Sequence, residues 1–271
     1  MQRSMEALTN LADTSTLAAI GARTLTALGG AGFHLLLLAR ALSYFPGVFY
    51  RSREVLRHMY VIGVLSLPVT LLVALFTGMV VSLQIGISLM MWGIQDEIGS
   101  IVTASMSREF GSLWTGIVLT ARVGSGMAAE IGTMKVSEEI DALEVMSIDP
   151  AKFLVMPRLA ALLIMAPILT IYADAIGIIG GAIVGQYQVN VPYASYFEKG
   201  MDALLLKDIY SGLVKSVVFA ATIATVGCGQ GMRASGGAEG VGNGVRNTVV
   251  ISLILIIIFN YFITSMTRWI A

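Results

Sequence analysis

The chain has 271 residues, of which 56% are Ala, Val, Ile, Leu, Met, Phe, Trp, Tyr or Cys and only 13% are Asp, Glu, Lys or Arg, about half the charged fraction of an ordinary soluble domain. Long tracts carry no charge at all, which excludes an ordinary soluble enzyme and points to a chain solvated by lipid. The formal net charge is zero, from 17 basic and 17 acidic residues, so no overall field argues for nucleic acid as a partner.

Taken in order, residues 1–60 read as a cytoplasmic and interfacial region and residues 61–271 as a transmembrane core, together one membrane domain. The start carries Glu6 and Asp13 and lacks the compact apolar core of a cleavable signal. The stretch 17–42 is apolar but holds Arg23, His34, Arg40 and the Gly29-Gly30 pair, so it is expected to lie in the interface with its arginines snorkelling rather than to cross. Five stretches, at roughly 61–92, 110–131, 154–187, 209–232 and 247–268, reach the ~20 helical residues that a crossing needs. The first and third are overlong and have places to bend at Pro68, Pro157 and Pro167.

Basic residues in short connections set the orientation. Arg51, Arg53 and Arg57 precede the first span, Lys135, Lys152 and Arg158 join the second to the third, and Arg233 and Arg246 join the fourth to the fifth. These are expected on the cytoplasmic side. The N-terminus is then inside and Ala271 outside. The opposite connections hold Asp96 and Glu97 before Arg108, and Lys199 with Lys207.

Within the second span every fourth residue from Ser112 to Gly132 is small, including Gly116, Thr120, Gly124 and Ala128. Such a stripe lets helix backbones approach closely in lipid, so this span is expected to be central. Charged residues at or inside spans need partners or water. Arg108, Glu109, Asp174 and Lys215 fall toward the outer side and Arg122 and Glu130 toward the inner one, giving two layers of internal charge.

The connection after the second span reads TMKVSEEIDALEVMSIDPAKF. Ile140, Leu143, Val145 and Met146 recur at helical spacing, and Glu138, Glu139, Asp141 and Glu144 occupy the other face. An amphipathic helix over about 134–149, stopped by Asp149-Pro150, requires a protein surface to receive it. The stretch RASGGAEGVGNGVR lacks a phosphate-loop pattern and reads as a flexible or tightly turning link. Cys228 reads as a small packing residue, His34 and His58 lack the partners of a metal site, and no nucleophile and base stand at catalytic spacing.

The run REFGSLWTGIVLTARVGSGMAAEIGTMKVSEEIDALEVMSIDPAKFLVMPR closely resembles the MlaE family, the permeases of Mla-type phospholipid ABC transporters. The resemblance extends over nearly the whole chain in length and span layout, with this central block the specific part. It implies an all-α homodimeric permease without catalytic residues of its own. ATP and magnesium would be bound by a cytoplasmic ABC ATPase, often with a STAS-domain subunit, and the periplasmic carrier would be an MCE-domain ring. It also implies that the acidic helix is the coupling helix, with Glu138, Asp141, Leu143 and Glu144 on the ATPase.

Combined with the topology, the resemblance implies a lipid site toward the periplasm. Leu89 and Trp92 would offer the acyl chains an apolar wall, and Arg108 or Lys215 would offer the phosphate cationic donors, with Glu109 beside them. A buried Glu109–Lys215 pair that fixes helix register is the competing reading. A stand-alone secondary transporter or channel is the alternative function, and it calls for internal inverted repeats that the sequence does not show.

Overall fold

The computed structural model describes residue 25 and residues 28–270. They are almost entirely helical, with no strand among the described residues, as an all-α membrane protein requires. The first helix whose course is described, α1 (Leu28–Ser43), is apolar. It buries Leu37 and Ala41 while Leu28, Leu35, Leu36 and Leu42 stay exposed. The earlier part of the expected interfacial helix, with Arg23, lies outside the described residues.

A 3-10 turn (Phe45–Arg51) and α2 (Ser52–Met59) lead into α3 (Leu67–Trp92). The chain bends at a π-helical turn (Tyr60–Val64) and restarts with Pro68 in the first turn of α3, where its missing N–H costs nothing. Four helical runs are long and apolar enough to cross a membrane: Phe45–Trp92, Ala151–Gln188, Leu206–Met232 and Gly237–Thr267. They contain α3, α6 (Met156–Gln188), α8 (Leu206–Met232) and α9 (Gly237–Ile270).

The second expected span belongs to α4, an uninterrupted helix over residues 98–136 with π-helical turns at Met106–Phe110 and Thr120–Gly124. It begins well before the expected 110 because residues 98–106 find cover of their own. Gly99 lies against the Tyr196 backbone of α7 (Tyr193–Ala203), a helix within the connection between the third and fourth expected spans. Tyr196 is fully buried there, and Lys199 pairs with Glu97 at 2.7 Å, which holds that carboxyl below its ordinary range.

Helix α4 is central. It runs parallel to α8, with Gly212 against the Ser107 backbone, Gly227 against Gly124 and Gly231 against Ala128. The small-residue stripe faces this contact. A methyl group on Gly116 would meet Phe219, and one on Gly124 would meet Ile223 at 3.0 Å and Thr248 at 3.6 Å, while Thr120 and Ala128 are fully buried. The closest crossing is elsewhere, between α3 and α6. A methyl group on Gly78 would stand 1.8 Å from the Gly177 carbonyl oxygen, and one on Gly180 would stand 2.4 Å from that of Leu75. Ser82 donates to the Gly181 carbonyl at 2.8 Å across the same seam.

The glycine-rich link is shorter than expected. Gly236 and Gly237 at φ +84° and +75° complete the reversal, and α9 is helical from Gly237 onward. Gly240, where a methyl group would strike the Ser235 carbonyl oxygen at 1.8 Å, lets the new helix start directly beneath the turn.

Candidate functional site

One end of the bundle concentrates charge. The π-helical turn of α4 places Arg108 and Glu109 side by side, and both reach α8. Arg108 grips Asp208 through two nitrogens, Nε to Oδ1 at 2.7 Å and Nη2 to Oδ2 at 3.0 Å. Lys215 Nζ donates to Glu109 Oε2 at 2.8 Å and to the Arg108 carbonyl at 2.7 Å. From α9, Asn260 Nδ2 donates to Glu109 Oε2 at 3.0 Å and Thr264 Oγ1 to Oε1 at 2.9 Å. Two helices, α8 and α9, are thus locked to two adjacent residues of α4.

The Lys215 ammonium is fully buried with both contacts inside the chain, as the register-fixing pair requires. Arg108 is different: its side chain is 48% exposed, and Asp208 occupies Nε and Nη2 only. Leu89 turns inward and packs with Ile98, Val102 and Met106. Trp92 ends α3 and is 80% exposed. The structure therefore unites Arg108, Glu109 and Lys215 but not Leu89 and Trp92.

Asp208, Asn260 and Thr264 were missed by the sequence reading. Asp208 lies beside Lys207 at the head of a span and looks like a boundary residue, and Asn260 and Thr264 are neutral. Asp174, grouped with the outer layer, packs against Gly111 and makes no ion pair among the described residues. In the inner layer Glu130 pairs with Arg158 of α6 at 2.9 Å, and Arg122 is exposed without an ion pair among the described residues. Cys228 is fully buried in α8.

The opposite end carries the acidic element. Its helix, α5 (Glu139–Val145), is shorter than the expected 134–149. Residues up to Val136 continue α4, and Glu138 and Ser147 adopt positive φ at either side of α5. Ile140 is buried and Leu143 packs half-buried against the chain's own core. Asp141 is engaged by Lys135. Glu138, Glu139 and Glu144 face outward, with Val145 86% and Met146 61% exposed beside them. An acidic platform with two bare apolar side chains thus projects from an anchored helix.

The family model described as Permease MlaE matches residues 55–266. A probable ABC transporter permease protein of Rickettsia typhi is 40% identical over 212 residues, covering 78% of this chain and 82% of its own. A probable ABC transporter permease protein of Synechocystis is 36% identical over 78% of this chain and 81% of its own. The Arabidopsis thaliana protein trigalactosyldiacylglycerol 1, chloroplastic, is 34% identical over 79% of this chain and 61% of its own.

Proposed function

Because this chain belongs to the MlaE permease family, we propose that it is the membrane subunit of an ABC transporter that moves phospholipid, coupled to a separate ATPase that holds the ATP and magnesium. The observation that carries the coupling is the α5 platform. Ile140 and Leu143 fix it to the bundle, and Lys135–Asp141 and Arg158–Glu130 tie its surroundings to α4 and α6. A push on Val145 and Met146 would therefore be carried into two long helices.

The cargo reading draws on the relatives and on the opposite end. Two of the relatives are named as probable ABC transporter permeases, and one is named for a galactolipid with two acyl chains. Arg108 keeps one guanidinium edge free for a phosphate, a pairing that suits its planar donors. Arg51, Arg53, Arg57, Lys152 and Arg158 belong to the α5 end, which makes that end cytoplasmic and the Arg108 end periplasmic in an inner membrane. The N-terminus is then inside and the C-terminus outside.

The exposed Arg122 on a spanning helix supports a homodimer, because a charge there needs protein or water to cover it. The family resemblance supports the remaining partners, an MCE-domain ring as periplasmic carrier and a STAS-domain subunit beside the ATPase, and a contribution to outer-membrane lipid asymmetry. In this reading the chain itself performs no catalysis.

The test uses Glu139→Lys with Glu144→Lys, since both side chains are exposed and make no ion pair among the described residues. The double reversal is expected to remove most of the copurifying ATPase while the permease melts at an unchanged temperature. Full ATPase yield from the reversed platform would place the coupling surface elsewhere.

A further inference from the structure

At the α5 end, where the turn after α1 meets the link into α6, a cavity of about 480 Å³ is lined by Tyr44, Arg51, Ile148, Asp149, Lys152 and Phe153. Its walls are tied by hydrogen bonds. Tyr44 Oη donates to Asp149 Oδ2 at 2.8 Å, and Asp149 Oδ1 accepts from the Ala151 amide at 2.8 Å. Arg51 Nη1 donates to the carbonyls of Lys152 and Phe153 at 3.1 and 3.0 Å, and its guanidinium stacks 4.2 Å from the Phe153 ring centre.

The charges within it are unevenly matched. Both oxygens of Asp149 are occupied by neutral donors, and the hydrogen bond to Asp149 raises the Tyr44 hydroxyl above its ordinary range, keeping it protonated. Arg51 is met by Glu54 at 2.7 Å. Lys152 is left over: its ammonium lies 5.7 Å from the Tyr44 ring centre and pairs with no carboxylate among the described residues.

The chain neighbours of Arg51 show the level in the membrane at which this cavity lies. Phe49 and Tyr50 are almost fully exposed beside Arg51 and Arg53, at the head of the apolar run Phe45–Trp92. Bare aromatic rings next to cations at the end of a span mark the membrane–water boundary, the level at which lipid phosphates lie. Basic pockets between helices at that level suit anionic headgroups.

We propose that this cavity holds the phosphate-bearing headgroup of an anionic phospholipid from the surrounding bilayer, with Lys152 donating to the phosphate and Phe49 and Tyr50 lying along the acyl chains. The bound lipid would join the turn after α1 to the link behind α5, bracing the platform from the membrane side. The inference goes beyond transport. It requires only that the chain sit in a bilayer.

The test is native mass spectrometry of the detergent-purified permease after exposure to equal amounts of phosphatidylglycerol and phosphatidylethanolamine. The expected result is one phosphatidylglycerol retained per chain with about tenfold preference, because the phosphate is common to both lipids but only phosphatidylethanolamine brings an ammonium that Lys152 repels. The preference should fall to near parity in Lys152→Gln and persist in Lys152→Arg. A phospholipid held elsewhere on the chain would not respond to Lys152. Parity in the wild type, or an unchanged preference in Lys152→Gln, overturns the proposal, and the wild-type result decides alone should Lys152→Gln not fold. Loss of the adduct in millimolar inorganic phosphate would assign the cavity to the free ion and overturn the lipid reading.

Discussion

Replacing Glu109 with alanine is expected to destabilise the folded permease by about 3–5 kcal/mol, because it strands a charge inside a buried pair. Lys215 is fully enclosed and would keep only the Arg108 carbonyl as a partner. The converse change should be milder. In Lys215→Met the Glu109 carboxylate is still 32% exposed and keeps Asn260 and Thr264 as donors. Combining Glu109→Gln with Lys215→Met should recover most of the lost stability, since a neutral pair of similar size needs no charge compensation. Thermal melting in detergent reads all three variants. If the single variants melted like the wild type and lost only lipid movement, Lys215 would be part of the cargo site after all.

Gly78→Ala is expected to be about as damaging. The added methyl group would stand 1.8 Å from the Gly177 carbonyl oxygen. Overfilling a core costs about 1–3 kcal/mol where side chains can yield, occasionally more. Here the obstacle is main chain, so the effect should reach ~3 kcal/mol or exceed it. Separating α3 from α6 would also stretch the Ser82–Gly181 hydrogen bond one turn away. Gly126 on α4 provides the contrast, since a methyl group there meets nothing within 4 Å. Gly126→Ala should melt at or slightly above the wild-type temperature through better helix propensity, and Gly124→Leu, pressed against Ile223 and Thr248, should fall between the two. Equal melting of Gly78→Ala and Gly126→Ala would contradict the backbone contact.

The sequence showed some of this plainly and hid the rest for physical reasons. Apolar length located four of the five expected crossings, α4 not being among the runs apolar enough to cross, and small residues every fourth position identified the α4 face that meets α8 and α9. The α3–α6 crossing escaped because Gly78 and Gly177 stand on separate helices and become one feature only when packed. The inward packing of Leu89 escaped for a related reason. In a helix apolar on all sides, periodicity does not separate the face that meets lipid from the face that meets protein.

The charged residues at the edges of spans were legible as internal, but not in their pairing. Arg108 could have served Asp208 or a phosphate with equal chemistry, and only the packed helices bring Asp208 to it. Glu109 draws its second set of partners from Asn260 and Thr264, neutral groups that carry no signal in a charge pattern. At the other end, Ile140 and Leu143 were rightly seen as one apolar face, yet that face turned out to anchor α5 to its own bundle. The exposed platform is formed by what remained, Val145 and Met146 among the acids.

The central claim is that this permease moves phospholipid under the control of a separate motor. Its most direct measurement is transfer of labelled phospholipid by the chain reconstituted in liposomes, with and without its copurified ATPase and with and without ATP and magnesium. The account predicts transfer only when ATPase and nucleotide are both present, and its loss when Glu139→Lys and Glu144→Lys detach the motor. Transfer at the same rate by the permease alone would make it a secondary transporter or channel and would contradict the account.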